Sequence, residues 1–237
     1  ENAEINRLLI GWNMYDTHIK AGRQRIILDN ARFIGNVGWR QNEQTYDAAL
    51  LSNNSIYYLT ITYAWIDQVN RIFGRSAPTG ALRNLHSKSH VAHAKYTRFK
   101  YFKPAVYNYY LEFDNLAANS SNTIGGSIEG THTFNDNRFT FNYYGEAAKQ
   151  EDVGQNPNNY DALYYHAYIQ MLYKKLLKGT IGYETLGSDK GFGLRTPAAT
   201  GHAFNGYADA FLTTPGSGLR DFYLSAKFSL AKNIFVT

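Results

Sequence analysis

The sequence predicts an all-β fold, a transmembrane antiparallel up-and-down β-barrel wall, on three observations. Apolar and polar residues alternate at period two along much of the 237 residues, with turn residues about every ten to fifteen positions. Connections alternate between short and long, as the two rims of an outer-membrane barrel require. Aromatic residues make up 16% of the chain, as 20 Tyr, 14 Phe and 3 Trp, an excess that suits half-buried β surfaces and membrane interfaces.

Composition removes other classes. Hydrophobic residues are 44% of the chain and mean hydropathy is -0.43. Apolar runs fall far short of the roughly 18 residues a spanning helix needs. With no Cys, disulfide scaffolds, thiolate metal sites and cysteine nucleophiles are all ruled out. The net charge is +5, yet the 24 basic residues are spread between 19 acids. Nucleic-acid binders cluster theirs, so no nucleic-acid partner is expected.

The first strand, residues 5–12, ends in the turn Asn13-Met14-Tyr15-Asp16. Further short turns fall at Asn53-Asn54, Tyr101-Phe102-Lys103-Pro104, Asn135-Asp136-Asn137 and around Lys174-Lys175. Between them lie longer polar stretches at 27–42, 67–89, 116–122, 151–159 and 188–220. In 55–65, Tyr57, Leu59, Ile61, Tyr63 and Trp65 share one face, and Tyr58, Thr60, Thr62 and Ala64 the other. In 105–114, Tyr107, Tyr109, Leu111 and Phe113 oppose Asn108, Tyr110, Glu112 and Asp114. In 221–228, Phe222, Leu224, Ala226 and Phe228 oppose Asp221, Tyr223, Ser225 and Lys227. The apolar face is assigned to lipid and the charged face to a lumen.

Segments bounded this way give about eleven strands and the start of a twelfth at 233–237. The first strand ends in a short turn, so it runs inward, and the last is still rising. Residues 1–237 are therefore read as a single barrel domain, incomplete at both ends, that a longer polypeptide or a partner chain closes. The start, Glu1-Asn2-Ala3-Glu4, has neither the basic region nor the apolar core of a signal peptide, and Thr237 is not a terminal aromatic.

Four stretches, 21–48 (AGRQRIILDNARFIGNVGWRQNEQTYDA), 64–74 (AWIDQVNRIFG), 182–191 (GYETLGSDKG) and 202–225 (HAFNGYADAFLTTPGSGLRDFYLS), resemble the bacterial alginate-export family of outer-membrane barrels. The resemblance implies a barrel of roughly 16 to 18 strands, this chain supplying about 11 to 12 of them. It also implies a basic pore for an anionic polymer, which makes Arg23 and Arg25 candidates for anion contact. Strict alternation puts both on the lipid side, where a mid-membrane charge costs roughly 2 to 4 kcal/mol. They are expected at the outer rim, or re-aimed inward by a bulge.

The expected pore lining is Arg7, Lys20, Arg23, Arg25, Asp47, His93, Lys95, Glu112, Asp114, Glu129, Glu146, His166, Glu184, Asp221 and Lys227, a mixed set of the kind that tunes selectivity. Phe33, Trp39, Arg40, Arg195, Phe204, Tyr207 and Phe211, with Leu212, are expected on loops that fold inward and narrow the pore. His90 and His93 fall on opposite faces of a strand, so His86, His90 and His93 make no regular metal site. No nucleophile elbow or paired-carboxylate spacing stands out, and Gly125-Gly126 lies within a strand pattern. The reading is a Gram-negative outer-membrane channel, non-enzymatic and without cofactor or metal, for passive diffusion of small or polymeric, anionic solutes. Its other partners are outer-membrane lipid and lipopolysaccharide. The rival is a structural barrel component that encloses or docks a second protein.

Overall fold

The computed structural model describes the chain apart from residues 1–4, 41, 75, 76, 79, 175, 206, 207, 232, 233 and 237, and apart from the side chains of 82 and 230–236. Its long strands are β1 (Leu8–Met14), β2 (Thr17–Gln24), β3 (Thr45–Asn53), β4 (Leu59–Asn70), β5 (Asn84–Tyr96) and β6 (Lys103–Leu111). They continue as β7 (Ser121–Phe134), β8 (Phe139–Asp152), β9 (Asp161–Tyr173) and β10 (Leu177–Leu186). A loop hairpin, β11 (Ser188–Asp189) and β12 (Phe192–Gly193), comes before β13 (Leu219–Ala231) and β14 (Ile234–Val236).

All but β11 and β12 form one 12-stranded sheet in chain order, β1 through β10 and then β13 and β14. The pairs are antiparallel, so this is the expected up-and-down wall. Tight turns gather at one end, where Tyr15, Asn135, Asp136, Asn137 and Lys174 take left-handed backbone. Asn and Asp are among the residues that tolerate this conformation best. At the other end run the long connections 25–44, 71–83, 112–120, 153–160 and 187–218.

The sheet is curled. The Phe33 ring lies 5.8 Å from that of Tyr107 on β6 and 5.1 Å from that of Tyr164 on β9. Three steps across a flat sheet would span about 14 Å. The side holding Phe33 is therefore the concave, inner one. Residues paired across the ladder share a face, so register carries this assignment around the wall. Ile61, Tyr63 and Trp65 of β4, Ile169 and Met171 of β9, and Phe222, Leu224 and Phe228 of β13 all point outward and are exposed.

On β6 the sequence expectation is inverted. Tyr107, Tyr109 and Leu111, with Phe113 beyond them, are buried on the inner side, and Glu112 and Asp114 lie on the outer side. The interior here is an apolar core, because inserted loops pack against the wall. Ile26, Phe33 and Ile34 join Tyr46, Ile66, Val69, Leu85, Val91, Tyr164 and Leu194 in one buried cluster. An apolar face could therefore turn inward as readily as outward. Irregular register at Asp47/Ala48 and Ile66/Gln68 lets both Ile66 and Val69 reach this core.

Candidate functional site

Two connections, 25–44 and 187–218, fill the concave side and bind each other. Gly35 N donates to Ala198 O at 2.9 Å, and Thr200 N to Ala31 O at 3.0 Å. The Gln44 amide donates to both Gly35 O and Ala198 O at 2.9 Å, and Tyr46 Oη donates to Gly35 O at 2.7 Å. These bonds saturate loop carbonyls that would otherwise be buried without partners. The inserted loops are thereby fixed to β3.

Ion pairs fasten this insert to the wall. Arg32 and Glu184 are each 3% exposed; Nε lies 2.8 Å from Oε1, off the N–H axis, and Nη2 donates to Oε2 at 3.1 Å. Tyr164 Oη donates to the same carboxylate at 2.8 Å, and the Asn205 amide at 3.1 Å. Asp29 anchors the other flank, with His93 Nε2 at 2.8 Å and Lys95 Nζ at 3.4 Å. Lys95 and Lys103 then share Glu129 at 3.2 and 3.8 Å. Burial pushes the Asp29 carboxyl up, but the hydrogen bonds and positive charge of His93 and Lys95 outweigh it and leave the pKa below the usual value. Glu43 behaves alike: desolvation raises it, and Arg25, Asn36 and Arg7 bring it below its ordinary value.

Beside this insert are two cavities. The outer one, about 160 Å³, is lined by Arg40, Arg71, Arg195, Trp39, Phe73 and His202, among others. Each arginine lies over an aromatic ring: Arg40 over Trp39 at 4.1 Å, Arg71 over Phe73 at 5.6 Å and Arg195 over Phe192 at 3.9 Å. Among the described residues, no carboxylate is in ion-pair contact with any of the three, and Arg195 Nε is buried without a hydrogen-bond partner. Burial lowers the pKa of Arg71 and Arg195, although an arginine stays charged at any physiological pH. The second cavity, about 580 Å³, is lined by Trp39, His202, Phe204, Asn205, Glu184, Asp221, Tyr223 and His166, among others. Trp39 and His202 line both cavities, with ring centroids 4.1 Å apart.

Of the expected pore-lining residues, Lys20, His93, Lys95, Glu129, Glu146, His166, Glu184, Asp221 and Lys227 lie on the inner face. Four others do not. Arg23 and Asp47 face outward in register with Ala21 and Ala49, paired at 2.8 Å, while Gln68 and Asn70 also donate to Asp47. Glu112 and Asp114 face outward, and Asp114 pairs with Lys88 at 3.1 Å. These charges sit near the long-loop rim, where an outward charge is inexpensive. Arg7 and Arg25 both contact Glu43, at 3.5 and 2.6 Å, so the two arginines singled out for anion contact, Arg23 and Arg25, are each held by an acid.

Phe33 is buried in the insert, Trp39, Arg40 and Arg195 line the outer cavity, and Phe204 lies 4.5 Å beneath the Arg32 guanidinium. Phe211 is exposed, and Tyr207 lies outside the described residues. His86 and His90 face outward and His93 inward. Sequence reasoning missed Asp29, Arg32, Arg71 and Asn205. Arg32 alone gave a signal, as a cation set in the apolar run Ala31-Arg32-Phe33-Ile34, which needs a partner once buried.

Curled wall, single-direction meander and inward-folded loops together make the chain part of an up-and-down antiparallel β-barrel of the outer-membrane type. No protein-family model matches the chain, and no curated protein does. Solved structures do. OccK2 (OpdF) of Pseudomonas aeruginosa, in complex with glucuronate, superposes with a TM-score of 0.72 at 17% identity, over 94% of this chain and 59% of its own. Pseudomonas aeruginosa OpdK with vanillate gives 0.71 at 13% identity, over 93% and 57%. A BenF-like porin from Pseudomonas fluorescens Pf-5 gives 0.70 at 12% identity, over 91% and 54%. The chain thus spans less than two thirds of the length of these porins.

Proposed function

We propose that this chain forms much of the wall, and the constriction, of a Gram-negative outer-membrane channel for passive diffusion of carboxylate-bearing solutes. The observation that carries the reading is the outer cavity, where Arg40, Arg71 and Arg195 face a common space and the acid in the same lining, Asp209, lies 2.7 Å from His202 and not against an arginine. A guanidinium laid on a ring is held in place and keeps its donors for a planar carboxylate. Glucuronate and vanillate, the ligands of two of the similar porins, both carry that group. Diffusion through such a pore needs no cofactor and no covalent step, and lipid and lipopolysaccharide are the surroundings the outward face would meet.

Reconstitution of the full protein in a planar bilayer under a KCl gradient tests this. The reversal potential should lie on the anion side. Replacing all three arginines with Gln should lower the anion-to-cation ratio about two- to fivefold, on the order of 1 kcal/mol for partly exposed charges. A cation-selective or non-conducting protein, or an unchanged ratio, would overturn the reading.

A finer reading rests on the four stretches that resemble alginate-export barrels. If a polyuronate is the cargo, it should block the ionic current more strongly than its monomer at equal residue concentration. The rival role, a wall that docks a second chain, draws support from β1 and β14, which flank the sheet without pairing to each other. We propose that further strands, in this polypeptide or a partner, complete the wall.

A further inference from the structure

We propose that the 580 Å³ chamber beyond the Trp39–His202 pair is a subsite for an organic ammonium group. The permeant class would then carry both a carboxylate and an amine. The proposal rests on the channel reading above for its place on the solute's path, but the subsite is argued from its own residues.

The chamber holds two carboxylates in different states. Glu184 is saturated by Arg32, Tyr164 and Asn205. Asp221, its partner across the β10–β13 ladder, accepts one side-chain hydrogen bond, from Asn205 at 3.2 Å, and makes no ion pair among the described residues. Asn205 thus bridges both acids and fixes Asp221 without discharging it.

The rings of Trp39, Phe204 and Tyr223 line the same chamber as Asp221. Tyr223 lies across Gly182, where any Cβ would strike the phenol, and its hydroxyl is 2.9 Å from His166 Nε2. A carboxylate among aromatic faces is the chemistry that holds an alkylammonium, by direct charge on one side and ring quadrupoles on the others. The neighbouring basic side chains have partners: Arg32 has Glu184, His202 has Asp209 at 2.7 Å, and His166 has the Tyr223 hydroxyl. Chamber and arginine-lined cavity share the Trp39–His202 wall. A solute that passes this ring pair therefore moves from a cationic field to an anionic one, which favours an amino acid-like ion over a simple carboxylate.

Binding can be read directly from Trp39. In the full protein with every Trp other than Trp39 replaced by Phe, choline chloride titrated at constant ionic strength should give a saturable change in Trp39 emission. Asp221→Asn should weaken the apparent Kd about tenfold. No saturable change, or an equal Kd in Asp221→Asn, would overturn the subsite. Liposome swelling then compares 4-aminobutyrate with butyrate. Asp221→Asn should slow the first selectively, and equal slowing of both would also count against the subsite. Choline binding without permeation of either solute would instead overturn the channel reading and leave the cation subsite standing.

Discussion

The guanidinium of Arg32 and the carboxylate of Glu184 meet at 2.8 Å with both side chains 3% exposed, so neither can fall back on water if its partner is removed. Arg32→Met or Glu184→Met alone should each cost about 3 to 5 kcal/mol, because a buried charged group is stranded, while Arg32→Met/Glu184→Met together should recover much of the loss. Heat-induced unfolding followed by gel mobility would show it; additive losses in the double variant would mean that the pair does not act as a unit. Asp29 behaves differently because it titrates. Its folded pKa lies below the ordinary 3.8, so its contribution is complete above that value and is lost as pH falls through the lower folded one. Between pH 5 and 2, wild type should lose more stability than Asp29→Asn, and parallel curves would refute the anchoring role. At this scale the sequence was only partly legible. Alternation placed His93, Glu146 and Asp221 on the inner face, but no local pattern tells that Arg23 will meet Asp47 across the ladder or that Arg32 will reach Glu184, 152 positions away.

Strands and turns were the legible elements, because period-two patterning and left-handed turn residues act within a few positions. The β6 inversion shows where that logic stops. Its apolar face meets the insert rather than lipid, and nothing within 105–114 records what will be packed against it. The β6–β7 contact gives this a test. Tyr107 lies across Gly125, where a Cβ would sit 2.6 Å from the ring and from the Ala148 methyl. Tyr107 cannot swing away cheaply, since its hydroxyl donates to Glu146 at 2.6 Å and its ring stacks on Tyr109 at 4.5 Å. Gly125→Val should therefore destabilise the wall by about 1 to 3 kcal/mol through overpacking. The control Gly179→Val, at a position with open space around it, should cost much less. Equal losses in urea unfolding from micelles would show that β-sheet glycine content matters, and not the ring.

For the whole molecule, the question is what the edges of the sheet meet. β1 and β14 bound the 12-stranded order, and each offers one row of backbone groups to whatever lies beyond. In hydrocarbon an unmet row costs several kcal/mol per group, which is why spanning sheets close. The outward side chains of β1, Leu8, Ile10 and Trp12, are exposed apolar groups, so this edge lies at the same lipid-facing level as the rest of the wall. If further strands seal it, every amide of β1 should exchange as slowly as those of β9, which has a neighbour on both sides. In an unsealed edge, only the amides directed at β2 would be slow, and their neighbours in alternation would exchange within seconds. Hydrogen exchange on the protein isolated from native membranes separates these outcomes. Its intact mass, set against the 26.9 kDa of this chain, tells which kind of seal is present. A heavier single polypeptide puts the missing strands in the same chain. A mass of 26.9 kDa with slow β1 amides requires a second chain along that edge.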